Sequence, residues 1–304
     1  NTNIFINKNP LSFEGLKYKK KQNLEALFNI KGIYKNNKEI QLNSISLVDN
    51  EKNSFLIKGL YLNDQLKIYE INSLSFDFMN NNKIKNQIYL TKNKENYNIT
   101  GKSFDASTLI DELLNNENDN EDLSLFVKLN SVINIKIVKT YLDNTTFLNS
   151  LTGNIVFRNN KINKVKLDSS FFNNKKISLT IDVNDKNEKI TTLFSSYPKP
   201  LLKEYKFIKG FEEGILDFYS IKKDKVSNSI LTIDNFKVQE VPVLAKLLTL
   251  ASLQGIADLL TGEGIRFTDF EMKFSNQKGL MNIEEMYAIG PAISILMDGY
   301  IERK

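Results

Sequence analysis

The sequence predicts a mainly β protein built on a long antiparallel sheet, and three observations carry that reading. Apolar residues alternate with polar ones in short runs, turn-forming clusters separate those runs, and a helical period surfaces in only two places. The clearest alternations are Leu123, Leu125, Val127 and Leu129, then Ile133, Ile135 and Ile137, then Leu179, Ile181 and Val183. Side chains on a strand alternate between its two faces, so each run marks a strand with one buried face. The separators are Asn80-Asn81-Asn82, Asn159-Asn160-Lys161, Asn173-Asn174-Lys175 and Asn184-Asp185-Lys186-Asn187. Asn, Asp and Gly tolerate the positive φ of tight turns, so the chain reads as consecutive hairpins.

Further strands are expected at Ile40–Val48, Ser54–Tyr61, Gln65–Phe78, Ile88–Leu90, Gly153–Arg158, Gly214–Ile221, Ser229–Val238, Ile265–Phe274 and Leu280–Ile301. Roughly 18 strands at about 4.8 Å spacing would make a flat ribbon on the order of 85 Å, and open sheets that wide curl, split or close. A short amphipathic helix is predicted from Ala106 to Leu114, with Ser103 or Asp105 as its N-cap and a solvated acidic loop, Asn115 to Glu121, after it. A second helix, Val241 to Leu260 within a 241–261 segment, starts at Pro242 and stops at Gly262. Its Leu244, Leu247, Leu248, Leu250, Leu253, Ile256, Leu259 and Leu260 surround most of the circumference, with only Lys246 and Asp258 charged. A helix apolar nearly all round belongs in a core or in lipid, but Gln254, Gly255 and Asp258 argue against a membrane span. Two placements stay open: a plug over one end of the sheet, or a groove mouth dipping into a membrane interface. No linker or strict repeat divides residues 1–304, which read as one continuous region.

Composition excludes more than it suggests. The chain has neither His nor Cys, so Ser-His-Asp and Cys-His nucleophiles and thiolate or imidazole metal sites are ruled out. No cofactor or metal is expected. The 41 basic and 36 acidic residues are finely mixed, which argues against a nucleic-acid partner. Glu212-Glu213, Glu263 and Glu284-Glu285 are the available carboxylates for acid–base work. They read as solvated residues near turns, since neighbours on a strand face opposite ways. Gly262-x-Gly264 follows a helix and precedes a strand, the reverse of a dinucleotide fingerprint, and reads as a helix stop. Lys17-Tyr18-Lys19-Lys20-Lys21 reads as a solvated strand end, with contact to anionic headgroups as the other option. The expectation is therefore a protein that is not an enzyme.

Two segments resemble the AsmA-like family in its YhdP/TamB branch. One is Ile99-Thr100-Gly101-Lys102-Ser103-Phe104-Asp105-Ala106; the other runs from Asp234 to Gly299, through VPVLAKLLTLASLQGIADLLTGEGIRFTDFEMKF, Gly279-Leu280 and Ala288-Ile289-Gly290-Pro291-Ala292. Together they cover about a quarter of the chain. The resemblance implies an elongated curved antiparallel sheet folded like a taco, whose hydrophobic groove shelters the acyl chains of phospholipid or another lipid between bacterial inner and outer membranes. It also implies a periplasmic setting and an N-terminal inner-membrane anchor outside this chain, which reads as a fragment. No catalytic residue carries over.

On that reading the groove-lining candidates are Leu123, Leu125, Val127, Leu129, Ile133, Ile135, Ile137, Leu179, Ile181 and Val183. Exposing lipid chains to water costs about 0.8 kcal/mol per CH₂, which a continuous uncharged lining would remove. The rival expectation is an envelope scaffold or assembly factor that binds a protein strand at a sheet edge.

Overall fold

The computed structural model describes residues 1–34, 39–108, 126–202, 211–239 and 264–302. Nineteen strands account for most of these residues, and the only α-helix among the described elements is one turn, Lys199–Leu202. The mainly β expectation holds. The 241–260 segment, with all eight of its predicted helical leucines and isoleucine, lies outside the described residues, as do Leu123, Leu125, Gly262 and Glu263. Of the short predicted helix only residues 106–108 are described. There the Asp105 carboxylate accepts the backbone N–H of Ser107 at 3.1 Å.

The chain divides into two compact units, Asn1–Ser169 and Ser170–Lys304. The first holds β1 (Thr2–Phe5), β2 (Leu11–Phe13), β3 (Tyr18–Lys20), β4 (Ala26–Tyr34), β5 (Ile40–Asp49), β6 (Ser54–Leu62), β7 (Ile68–Met79), β8 (Lys85–Asn93), β9 (Asn96–Asp105), β10 (Ser131–Tyr141), β11 (Phe147–Arg158) and β12 (Lys161–Ser170, whose last residue crosses the boundary). Strands β4 to β9 form an antiparallel meander, with β1 paired to the first half of β4. In the turns from β5 to β9 the positive φ falls on Lys52, Leu66, Lys83 and Lys94, and not on the Asn, Asp or Gly residues that the sequence marks.

Two expectations fail in this unit. The chain is not an unbroken run of antiparallel hairpins, because β10 pairs with β9 in parallel, Ile135 opposite Ile99. The connection between them returns to the starting end of β9 before β10 begins, and a parallel pair needs such a crossover. The predicted strand from Leu123 to Leu129 also fails over its described part. Phe126 makes a single bridge to Ile68 and Val127 is exposed. The backbone of this segment spends its hydrogen bonds elsewhere: Val127 N–H donates to the Ile68 carbonyl at 2.9 Å, and the Phe126 carbonyl accepts from Asn160 Nδ2 at 3.1 Å.

Those two bonds belong to one peptide group, and they show that the sheet of this unit curls. Ile68 opens β7, while Asn160 lies in the turn after β11, four strands away. On a flat sheet the separation would be roughly 19 Å. A single peptide group bridges it here.

The second unit holds β13 (Lys176–Val183), β14 (Lys189–Ser195), β15 (Phe211–Lys223), β16 (Val226–Val238), β17 (Ile265–Gln277), β18 (Leu280–Ile289) and β19 (Ser294–Glu302). All neighbouring pairs are antiparallel. Its core is a set of buried residues dominated by Phe211, Phe236, Phe267, Phe270 and Phe274, with Leu216, Ile233 and Ile265. The Phe211 and Phe236 rings stack at 4.9 Å and those of Phe236 and Phe267 at 5.2 Å.

Candidate functional site

The candidate site is the apolar face of the first unit, and it is built by cross-strand pairing. Directly opposed residues share a face, so paired positions can be followed across the sheet as rows. One row runs Ile45, Ile57, Leu74, Leu90, Ile99, Ile135 and Gly153, over seven strands from β5 to β11. The next runs Leu47, Phe55, Phe76, Ile88, Gly101, Ile137 and Leu151. Neither contains a polar side chain. On the other side of the first row lie Leu42, Leu60 and Ile71, then Tyr97, Ile133 and Ile155.

Strict alternation cannot produce this face along β5 to β7, because the inward set changes parity partway. On β6 it is Phe55 and Ile57, then Leu60 and Leu62; on β7 it is Phe78, Phe76 and Leu74, then Ile71. The switch occurs at one level, at Asn43, Gly59 and Asn72, three positions missing from the regular pairing. Gly59 has φ +61°, and a Cβ there would sit 2.2 Å from Asn72 Nδ2. A side chain cannot enter that space, so the glycine makes the irregularity possible.

Burial along the face is uneven. Toward one end Leu47, Phe55 and Phe78 are buried; toward the other, Leu60, Ile71, Tyr97, Leu129 and Phe157. Between them Ile45, Ile57, Leu74 and Leu90 are half-buried. The first end is covered by the β2–β3 hairpin, the second by the segment carrying Phe126 and Leu129. From Phe55 to Leu62 the face extends roughly 23 Å along the strands.

The first end is bordered by a polar rim in which strand-end side chains satisfy one another. Asp49 accepts from Tyr18 Oη at 2.7 Å, from Asn53 N–H at 2.9 Å and from Asn53 Nδ2 at 2.9 Å. Asp105 accepts from Asn80 Nδ2 at 2.7 Å and Asn82 Nδ2 at 3.3 Å. Burial pushes the Asp105 carboxyl up, but bonds from Ser107 and Asn80 and the Lys17 charge outweigh it and hold the group below its ordinary value. Burial and the adjoining Asp49 carboxylate push the Tyr18 phenol well above its ordinary range, so it remains the donor.

Of the predicted lining residues, Ile133, Ile135 and Ile137 share the inward face of β10, and Leu129 is buried in the same core. Val127 does not line it: this residue is 38% exposed, because its segment crosses the sheet end instead of running as a strand. Leu179, Ile181 and Val183 lie in the second unit, with Ile181 buried. Leu179 begins a row there through Leu193, Phe218, Leu231, Met272, Met286 and Met297. The sequence reading missed the residues of β5 to β9. Their signal is the apolar pairs at spacing three, Ile57–Leu60 and Ile71–Leu74, that flank the parity switch.

The other sequence candidates resolve into structural roles. Glu212 pairs with Lys199, and Glu213 with Lys237 at 3.1 Å; Glu285 pairs with Lys273 at 3.3 Å. The solvated reading of the lysine run fails at Lys20. It is wholly buried and donates to the carbonyls of Leu24 at 2.6 Å, Lys21 at 3.1 Å and Asn7 at 3.5 Å. Three acceptors match its three donors and replace water. An open cavity of about 340 Å³ at the far end of β5–β7 is lined by Tyr61, Tyr69, Glu39 and Glu70, and Lys92 pairs with Glu70 at 2.5 Å. Among the described residues no carboxylate cluster could hold a metal, and no helix is long and apolar enough to cross a membrane.

No protein-family model matches this chain, and neither the curated proteins nor the solved structures give a match.

Proposed function

We propose that this protein binds lipid acyl chains, those of phospholipid in particular, on the apolar face of its sheet, and shields or conducts them without covalent chemistry. The observation that carries the reading is the pair of uninterrupted apolar rows, seven strands wide, one of which, through Ile45, Ile57, Leu74, Leu90, Ile99 and Ile135, is half-buried although it borders packed clusters. A bound acyl chain spans about half of a bilayer's ~30 Å hydrocarbon core, so the roughly 23 Å face accommodates its length. Each CH₂ sheltered there contributes about 0.8 kcal/mol, and the rows contain no charge to oppose it.

The resemblance of the Ile99–Ala106 and Asp234–Gly299 segments to the AsmA-like family supports the same reading. With it come the taco-like groove and a place in the bacterial periplasm between inner and outer membranes, with anchorage outside this chain. The test is mass spectrometry of lipid co-purified after mild extraction. Stoichiometric phospholipid is the expected result. Its consistent absence would overturn the proposal and favour an envelope scaffold that binds a protein strand.

A further inference from the structure

The chain enters and leaves residues 7–25 at a single point. Ile6 N–H donates to the Ala26 carbonyl at 2.8 Å, and Asn7 Oδ1 accepts from Ala26 N–H at 3.4 Å, which continues the pairing of β1 with β4. The segment is therefore an excursion from what would otherwise be a hairpin. It is also stapled internally. The buried Lys20 ammonium joins its two ends by donating to Asn7 and to Leu24, and β2 pairs with β3. Such an insert can move as one piece.

The insert lies on the apolar face. Its Leu11, Leu16 and Tyr18 pack with Leu47, Phe55, Phe76 and Phe78, the β5–β7 part of one apolar row and its border. The Tyr18 ring stands 4.8 Å from Phe55 and 5.7 Å from Phe78. Beside the hinge, Asn50 donates its N–H to the Glu25 carbonyl at 3.0 Å and its Nδ2 to Glu25 Oε2 at 2.8 Å, and exposed Lys21 pairs with Glu51 at 3.5 Å; beyond these, three polar bonds tether the insert to the sheet: Tyr18 Oη to Asp49, Lys17 Nζ to Ser107 Oγ at 2.7 Å, and Asn81 N–H to the Lys17 carbonyl at 2.9 Å. Two strands of three residues have little stability of their own, so these contacts hold the insert in place.

We infer that residues 7–25 form a displaceable plug, and that the end of an acyl chain takes the place of the Tyr18 ring against Phe55 and Phe78. This rests on the acyl-binding reading above. Asp49 keeps its two bonds from Asn53 when the plug leaves, so opening strands no buried charge.

The experiment measures binding of cis-parinaric acid, a fluorescent unbranched fatty acid, to the intact chain and to two variants. One replaces residues 7–25 with Asn-Gly, a two-residue turn suited to joining β1 to β4. The other is Tyr18→Phe, which removes one tether and keeps the ring. Tyr18→Phe is expected to tighten binding about tenfold, the factor for losing one hydrogen bond to a charged group, and the excision to tighten it further. Unchanged affinity in both variants, with the intact chain binding the probe, would overturn the plug and leave the acyl-binding reading standing. If none of the three binds, both fall. If the excised chain does not fold, the affinity of Tyr18→Phe decides.

Discussion

The two units solve the same problem differently. Each carries seven neighbouring strands with a largely half-buried apolar central row, but in the second that row flanks one large buried cluster, whereas in the first it lies between two. In the second unit the row Leu216, Ile233, Phe270 and Ala288 is buried throughout, beside the stack of Phe211, Phe236 and Phe267. On the other side of its central row the face ends in hydroxyls, with Ser229 Oγ and Ser220 Oγ bonded at 2.9 Å and buried. In the first unit the clusters sit apart, and the row of Ile45, Ile57, Leu74 and Leu90 between them is only half-covered. A half-buried apolar row can thus flank one large cluster or join two, and alternation in the sequence looks the same for both.

That contrast can be broken most sharply by mutation. Phe236→Ala should cost about 3–5 kcal/mol in thermal or denaturant unfolding, as a buried aromatic removed from a close-packed cluster, and leave lipid content per folded molecule unchanged. Gly59→Ala should cost about 1–3 kcal/mol, because a φ of +61° is unfavourable for alanine and the new Cβ meets Asn72. It should also disturb the parity switch, read as loss of amide protection across β5 to β7. Ile135→Asp should reduce lipid binding about tenfold or more, while Lys136→Asp, on the opposite face, changes it little. Equal effects would mean that the wrong face has been chosen.

The smallest effect concerns the polar rim. The Asp105 carboxyl sits below its ordinary value of 3.8, so its contribution to stability is complete above that pH and is lost as pH falls below it. Asp105→Asn removes that contribution. Melting curves of the two proteins should therefore differ most at neutral pH and converge below 3.8.

The fold class was legible because strands such as β10 and β13 keep strict alternation, and because turn clusters such as Asn159-Asn160 supply positive φ where strands must reverse. Strands β1, β2, β4, β9, β12 and β14 were not marked. In β4, Ala26, Leu27 and Phe28 put apolar groups on both faces, and in β9 the inward position after Tyr97 and Ile99 is Gly101, which carries no hydrophobic signal. The parallel step from β9 to β10 was hidden too, since hairpin logic has no term for a crossover. The face itself was half legible. Ile133, Ile135 and Ile137 announce it on β10, but on β5 to β7 the break in pairing at Asn43, Gly59 and Asn72 interrupts the period that a reader of alternation follows.

The most direct measurement places a photo-crosslinking phenylalanine derivative at Ile57, at Ile135 or at Val138 in the lipid-loaded protein and identifies the adducts by mass spectrometry. Ile57 and Ile135 lie four strand steps apart in the same half-covered row, whereas Val138 is 61% exposed on the other face of β10. Acyl-binding on this face predicts phospholipid adducts from the first two positions and none from the third. Adducts from Val138 alone, or equal yields from all three, would contradict it.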